Sequence, residues 1–175
     1  WEVYGMPVDT LAPPWGEYIY IGALEACLRE TDYRAVVVVH NESSTGIVSD
    51  LAAIGALVRD RPTLLVVDSV SGLGGIEMRQ DEWGIDIVVS ASQKALMCPP
   101  GLSIASVSAK ALTVVKGNDR MPAFYWDFPR ARDDAAKGET PFTPPGRRIN
   151  VRVQAFQVIH QEAHANVRAR HRRPA

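Results

Sequence analysis

Apolar and polar positions along the first 120 residues fall into blocks of two kinds, helically spaced and continuous. Residues 16–31 place Ile19, Ala23, Ala26 and Cys27 at helical spacing with acids and Arg29 between them, which predicts an amphipathic helix. Residues 35–39 (AVVVV) are an unbroken, mostly β-branched run, the mark of a strand buried on both faces. Residues 50–59 predict a second helix, with Asp50 near its N-terminus and Pro62 just past its end. Residues 63–67, 85–89 and 102–107 are three more strand-sized apolar runs, and Ser108 opens a short helix through Val115. Strands separated by helical stretches predict an α/β fold with a mostly parallel sheet and helices on its faces. Residues 124–137 (FYWDFPRARDDAAK) predict a helix broken at Pro129, and the Pro- and Thr-rich residues 138–146 predict a loop or linker.

Composition narrows the class. At 175 residues, 46% apolar and 22% charged, the chain can bury one sizeable core, which excludes disorder and collagen. No apolar run approaches the roughly 20 residues of a membrane helix, so a protein off the membrane is expected. No basic start followed by an apolar segment is present, so secretion has no support. The two cysteines, Cys27 and Cys98, make neither a disulfide framework nor a zinc set, which leaves a cytoplasmic location as the expectation and no metal site.

The net charge of −1 averages two unlike pieces. Residues 1–145 hold 12 basic and 19 acidic residues, net −7, whereas residues 146–175 hold 7 basic and 1 acidic, net +6. The seven are all Arg (Arg147, Arg148, Arg152, Arg168, Arg170, Arg172 and Arg173), accompanied by His160, His164 and His171, with Glu162 the lone acid. The expected organisation is therefore a core over 1–145 and an Arg-rich tail over 146–175.

Polar or Gly-rich segments follow three expected strands: 40–46, 68–75 and 90–94. Ligands of open parallel sheets collect outside the carboxyl ends of the strands, so these segments are expected to converge on one site. Lys94 follows a strand in the small-residue loop SASQK, ahead of a Pro-Pro-Gly turn. A lysine held in a site can form a Schiff base with a carbonyl. Asp68 ends the run LLVV, where a carboxylate can face a ligand and hold a positive ring nitrogen, although a strand-end Asp is also a common turn former. Lysine plus strand-end aspartate is the pair that pyridoxal 5'-phosphate requires, one for its aldehyde and one to keep its pyridinium protonated.

Three segments, HNESSTG (40–46), DSVSGLGG (68–75) and GIDIVVSASQKALMCPPG (84–101), resemble in order and separation the class V aminotransferases, especially the alanine/serine–glyoxylate group. The likeness runs from about Trp1 through Pro145. It implies an incomplete fold type I large domain, three-layered, with helices on both sheet faces. By the same resemblance Lys94 is the Schiff-base lysine, Asp68 the partner of the pyridine nitrogen and Val70 a contact on one ring face, while Gln93 and Ser43 hydrogen-bond the cofactor. Thr140 and Thr143, in ETPFTPP, resemble positions that reach the phosphate bound by the neighbouring subunit of a homodimer. The implied activity is ping-pong transamination through a Lys94 aldimine, from a small amino acid to glyoxylate or another 2-oxo acid. His40 and Glu42 share the loop of Ser43, with a structural role as open as a functional one.

Proteins of this family are about twice as long, so the chain is expected to lack an N-terminal part with the phosphate loop and a C-terminal small domain with a substrate-binding arginine. After Pro145 the expected apolar helix start is replaced by an Arg-rich stretch of weak periodicity, before ARHRRPA (169–175) resembles the family again. A local reading-frame shift would produce such a segment. GLGG (72–75) is not GxGxxG, no GxxxxGK[ST] exists, and an SxxK hydrolase would need Ser where Ala91 stands. Cys98 brings a desulfurase-like lyase to mind, but it lies in a Pro turn without an evident base and is expected to be structural. The remaining alternatives are an inert remnant and a module binding nucleic acid through the basic tail, the latter disfavoured because no Tyr, Trp or Lys interleaves the arginines.

Overall fold

The computed structural model describes residues 2–118 and 123–162, together with Asn166 and Ala169. ARHRRPA and the arginines from Arg168 onward lie outside the described residues, apart from Ala169.

After a 3-10 turn at Glu2–Tyr4 and an irregular segment, the order is α1 (Ile21–Glu30), β1 (Ala35–Val39), α2 (Leu51–Val58), β2 (Leu64–Asp68), β3 (Ile87–Ala91), β4 (Ser103–Val107), α3 (Ala109–Lys116), α4 (Phe128–Ala136) and α5 (Gly146–Glu162). The strands form one sheet in the order β1-β2-β3-β4. β1, β2 and β3 run parallel and β4 is antiparallel to β3. Parallel neighbours need a long crossover, and the segments between β1, β2 and β3 supply it. The shorter link between β3 and β4 returns the chain antiparallel.

Several boundaries differ from the sequence expectation. α1 begins at Ile21, because the chain turns with Gly16 at φ +86° and Tyr20 takes the N-cap position. Its buried residues are Leu24 and Leu28, whereas Ala26 faces solvent. β3 begins two residues later than its apolar run, since Asp86 is used to brace the strand starts. Pro129 does not break α4. It sits in the first turn, where no N–H is needed, behind Asp127, whose carboxylate accepts from Arg130 N at 3.0 Å. The tail segment of weak periodicity forms the 17-residue α5, and its weak stripe shows in the packing: Ile159 is buried while Val153, Phe156 and Val158 stay exposed.

The main core lies on one face of the sheet. Leu24 and Leu28 of α1 and Leu51, Ile54 and Val58 of α2 pack on Val38, Leu65, Val67 and Val88. Burial of each leucine or isoleucine here contributes about 2 kcal/mol. Gly55 lets α2 approach the chain at Trp83, since a Cβ there would stand 1.8 Å from the Trp83 carbonyl oxygen. On the opposite face, the register row Val39, Asp68, Val89 alternates out of the core, and Val37, Val39 and Val89 remain exposed.

At the N-terminal edge of the strands one buried carboxylate closes the fold. Asp86 accepts from Leu65 N at 2.9 Å, Ser108 Oγ at 2.8 Å and Lys110 Nζ at 3.3 Å. Lys110 also donates to the Thr63 carbonyl at 2.7 Å, so β2, β3 and α3 meet on this cluster. Ser108 doubles as the α3 N-cap, accepting from Ala111 N at 3.0 Å.

Candidate active site

The three loops at the C-terminal edge interlock. The chain leaves β1 at His40, whose N–H donates to the Asp68 carbonyl at 2.8 Å and whose Nδ1 meets Ser69 Oγ at 2.8 Å. Asn41 Nδ2 donates to Ser71 Oγ at 3.0 Å, and Ser71 Oγ donates back to the Asn41 carbonyl at 2.7 Å. On the other side Ser69 N donates to the Val89 carbonyl at 2.8 Å and Ser90 Oγ to the Ser69 carbonyl at 3.0 Å. Two glycines allow this closeness. A Cβ on Gly72 would lie 2.5 Å from His40 Nδ1, and one on Gly74, at φ +91°, 2.9 Å from Leu96 Cδ2. The loop carrying Asp68 is thus wedged between the loop of His40 and the loop of Lys94.

Asp68 ends β2 on the open sheet face, between Val39 and Val89 in the register. Its Oδ1 accepts from Val70 N at 2.9 Å, an Asx turn that fixes the carboxylate plane. Among the described residues no donor is assigned to Oδ2. Lys94 is exposed beside the equally exposed Gln93, and its Nζ makes no hydrogen bond or ion pair among the described residues. The lysine loop is shaped from below: Ser92, fully buried, donates from Oγ to the Pro99 carbonyl at 2.6 Å, Cys98 N donates to the Ser92 carbonyl at 3.0 Å, and Met97 N closes a turn on the Lys94 carbonyl at 2.8 Å. Met97 takes φ +55° in that turn, a left-handed conformation that a side chain of its size rarely adopts. Cys98 is a buried free thiol donating to the Leu96 carbonyl at 3.3 Å, and Leu96 packs on Ile159 of α5.

The ESSTG turn holds Ser43 exposed at its tip. Glu42 Oε1 accepts from Ser44 N at 2.9 Å and Ser44 Oγ at 2.6 Å, and these bonds, the hydroxyl's foremost, hold its carboxyl below the usual range. His40 is 1% exposed, and burial pushes its imidazole below the ordinary value. Both residues are thereby occupied in building the loop. Thr140 and Thr143 are exposed in the loop before α5, with Thr140 Oγ1 donating to the Phe142 carbonyl at 2.7 Å. Phe142 stacks with Tyr125 at 4.6 Å between ring centroids, and Arg130 lies 5.0 Å over the Phe142 ring. Two strand-end loops, with Asp68 and Lys94, are brought together directly. Thr140 and Thr143 belong to this separate aromatic segment.

The model of the family described as aminotransferase class-V matches residues 5–119, about two thirds of the chain. The chain belongs to this family. Among curated relatives, it is 39% identical to the soluble hydrogenase small subunit of Synechococcus sp. (strain PCC 6716), over 98% of this chain and 46% of that protein. It is 38% identical to L-aspartate–glyoxylate aminotransferase of Paracoccus denitrificans, over 98% of this chain and 44% of that protein. Among solved structures, alanine–glyoxylate aminotransferase from Nostoc sp. superposes with a TM-score of 0.89 at 32% identity, over 97% of this chain and 45% of that one. These alignments extend into the Arg-rich segment, and the chain spans about half the length of the curated relatives it matches.

As a class V chain it carries the fold type I architecture in partial form, a mixed sheet with helices. The family implies pyridoxal phosphate, and the donor set fits that group. A carboxylate oxygen at the end of β2, set between Val39 and Val89, and an exposed amine in the loop after the neighbouring β3 are both without partners among the described residues. Sequence reasoning did not single out Ser69, Ser90 or Ser92, whose hydroxyls hold the loops. The only signal for them was a run of small residues at each strand end.

Proposed function

We propose that the protein to which this chain belongs is a pyridoxal-phosphate-dependent aminotransferase, moving an amino group from a small amino acid to glyoxylate or another 2-oxo acid. The observation that carries this reading is that Asp68 Oδ2, at the end of β2, and Lys94 Nζ, in the loop after the neighbouring parallel strand β3, both lack partners among the described residues at the carboxyl edge of the sheet. The aminotransferase names of the Paracoccus and Nostoc relatives agree with it. Pyridoxal phosphate, when bound, supplies an electron-poor ring that takes up the electron pair left as the substrate Cα–H bond breaks.

Lys94 Nζ would hold the cofactor's aldehyde group and, as a free amine, would serve as the general base for the substrate Cα proton. Asp68 Oδ2 would accept the ring-nitrogen hydrogen bond, with the carboxylate held in place by Val70 N. Val70 would contact one face of the ring, and Gln93 and Ser43 would hydrogen-bond the cofactor. Thr140 and Thr143 serve the site of a second subunit in a homodimer, a role supported by the exposed Phe124, Tyr125 and Trp126 beside them. Both cysteines are free thiols, which suits a cytoplasmic setting. The desulfurase alternative is disfavoured by Cys98, whose thiol is buried and turned to a backbone carbonyl.

The test is to mix the 175-residue chain with pyridoxal phosphate, record the absorbance spectrum, reduce with borohydride and map the adduct by mass spectrometry. The expected result is a shifted band and a reduced adduct on Lys94, both absent in Lys94→Ala. A free-cofactor spectrum in the unsubstituted chain overturns the assignment of Lys94 and Asp68 to a cofactor site formed by these residues.

A further inference from the structure

His40 is the most deeply buried titratable residue beside the candidate site, at 1% exposure, and the reading above gives it no task. Its position is specific. It is the first residue after β1, and it grips the residue after Asp68 as well as Asp68 itself: backbone N–H to the Asp68 carbonyl at 2.8 Å, side-chain Nδ1 to Ser69 Oγ at 2.8 Å. From the opposite side β3 holds the same two-residue unit through the Val89 carbonyl and Ser90 Oγ. Asp68 and Ser69 are therefore clamped between two strands. Among the described residues, His40 Nδ1 is the one hydrogen-bond partner of Ser69 Oγ.

Ser69 is 0% exposed, so water does not replace a lost partner there. Gly72 closes over the imidazole so tightly that a Cβ would meet Nδ1 at 2.5 Å, which leaves the ring no second seat. The backbone torsions that aim the Asp68 carboxylate lie within this clamp, since its one side-chain bond runs to Val70 N, the next amide along.

We propose that His40 is a positioning residue: through Ser69 it fixes the turn that aims Asp68 Oδ2 at the ring nitrogen of the bound cofactor. This rests on the pyridoxal phosphate reading above. A neutral imidazole suits the role, because with Nδ1 either donating to or accepting from the serine hydroxyl the pair is satisfied. Outer partners that orient ligating groups typically contribute 10–100-fold in ligand affinity, and the effect here belongs at the lower end because Val70 N and the β3 contacts remain.

The experiment titrates the 175-residue chain with pyridoxal phosphate, reading the dissociation constant, the ratio of the adduct's absorbance bands and the thermal midpoint without cofactor. His40→Leu and Ser69→Ala are each expected to weaken the cofactor about tenfold and change the band ratio. His40→Asn, which places an amide group near the position of Nδ1, restores most of both. The His40→Leu/Ser69→Ala double variant is no weaker than either single, and in an Asp68→Asn background His40→Leu has no further effect on the band ratio. A His40→Leu chain with a lowered midpoint but unchanged affinity and bands overturns the proposal, as does additivity with Asp68→Asn. If His40→Leu does not fold, Ser69→Ala, the smaller change, decides by the same two readings. An unsubstituted chain that forms no Lys94 adduct overturns the cofactor site assigned to these residues and this proposal with it; a normal adduct insensitive to both variants overturns this one alone.

Discussion

The sheet carries an aspartate and a lysine at each end, and the two pairs are treated in opposite ways. At the N-terminal edge Asp86, 4% exposed, takes three donors and meets Lys110 at 3.3 Å, while Lys110 has a second acceptor in the Thr63 carbonyl. At the C-terminal edge Asp68 takes one backbone donor and Lys94 takes no acceptor among the described residues. Buried charge must be matched to be tolerated, and the first pair is. Charge left unmatched at a sheet's carboxyl edge keeps its capacity for a ligand. One chain thus uses the same two residue types once to close the fold and once, without partners among the described residues, at the edge where a cofactor site is proposed.

The sharpest way to break this contrast is to remove each carboxylate in turn. Asp86→Ala leaves Lys110, the Leu65 amide and the Ser108 hydroxyl without their partner, and is expected to cost about 3 kcal/mol in denaturant unfolding. Asp68→Ala, losing one exposed Asx-turn bond, is expected within about 0.5 kcal/mol of the parent while impairing cofactor binding. Equal stability losses would remove the distinction.

A smaller effect sharpens it by pH. Burial holds the His40 imidazole below its ordinary 6.5 in the folded chain, so on acidification the unfolded chain takes up a proton first. This contribution to stability is complete above about pH 6.5 and is lost as pH falls from there toward the folded value, at no more than about 1.4 kcal/mol per unit. Melting curves from pH 7.5 to 5 should show the decline in the parent and a shallower one in His40→Asn; parallel curves would count against it. The last expected change is a gain. Met97→Gly relieves the left-handed residue beside Lys94, and a rise of about 1 kcal/mol in unfolding free energy is expected where a glycine takes φ +55°. An unchanged or lowered midpoint would mean that the Met97 side chain contributes packing that offsets its strain.

Much of this was legible in the chain. The four apolar runs became the four strands, and Asp50 and Ser108 became the helix caps that their positions suggested, accepting from Ala53 N and Ala111 N. Local signals failed where a long-range contact decided. The antiparallel turn of β4 depends on the length of the preceding loop, and the late start of β3 on Asp86 reaching residues 22 and 24 positions ahead. Of the candidate site, Lys94 and Asp68 were readable because strand ends are readable. The clamp of His40, Ser69 and Ser90 was not, since small polar residues near a turn look alike until the strands that bracket them are neighbours.

β1 is an outer strand of the sheet, and after Ala35 its sequence is four consecutive valines without a charge or proline. Among the described residues its outward edge is met only near its end, where Ser49 Oγ donates to the Val39 carbonyl at 2.7 Å, and with the exposed Val37 and Val39 that edge is a template for strand addition by another molecule. In the 175-residue chain taken by itself, association along this valine edge is the expected consequence, read as light scattering that rises with concentration.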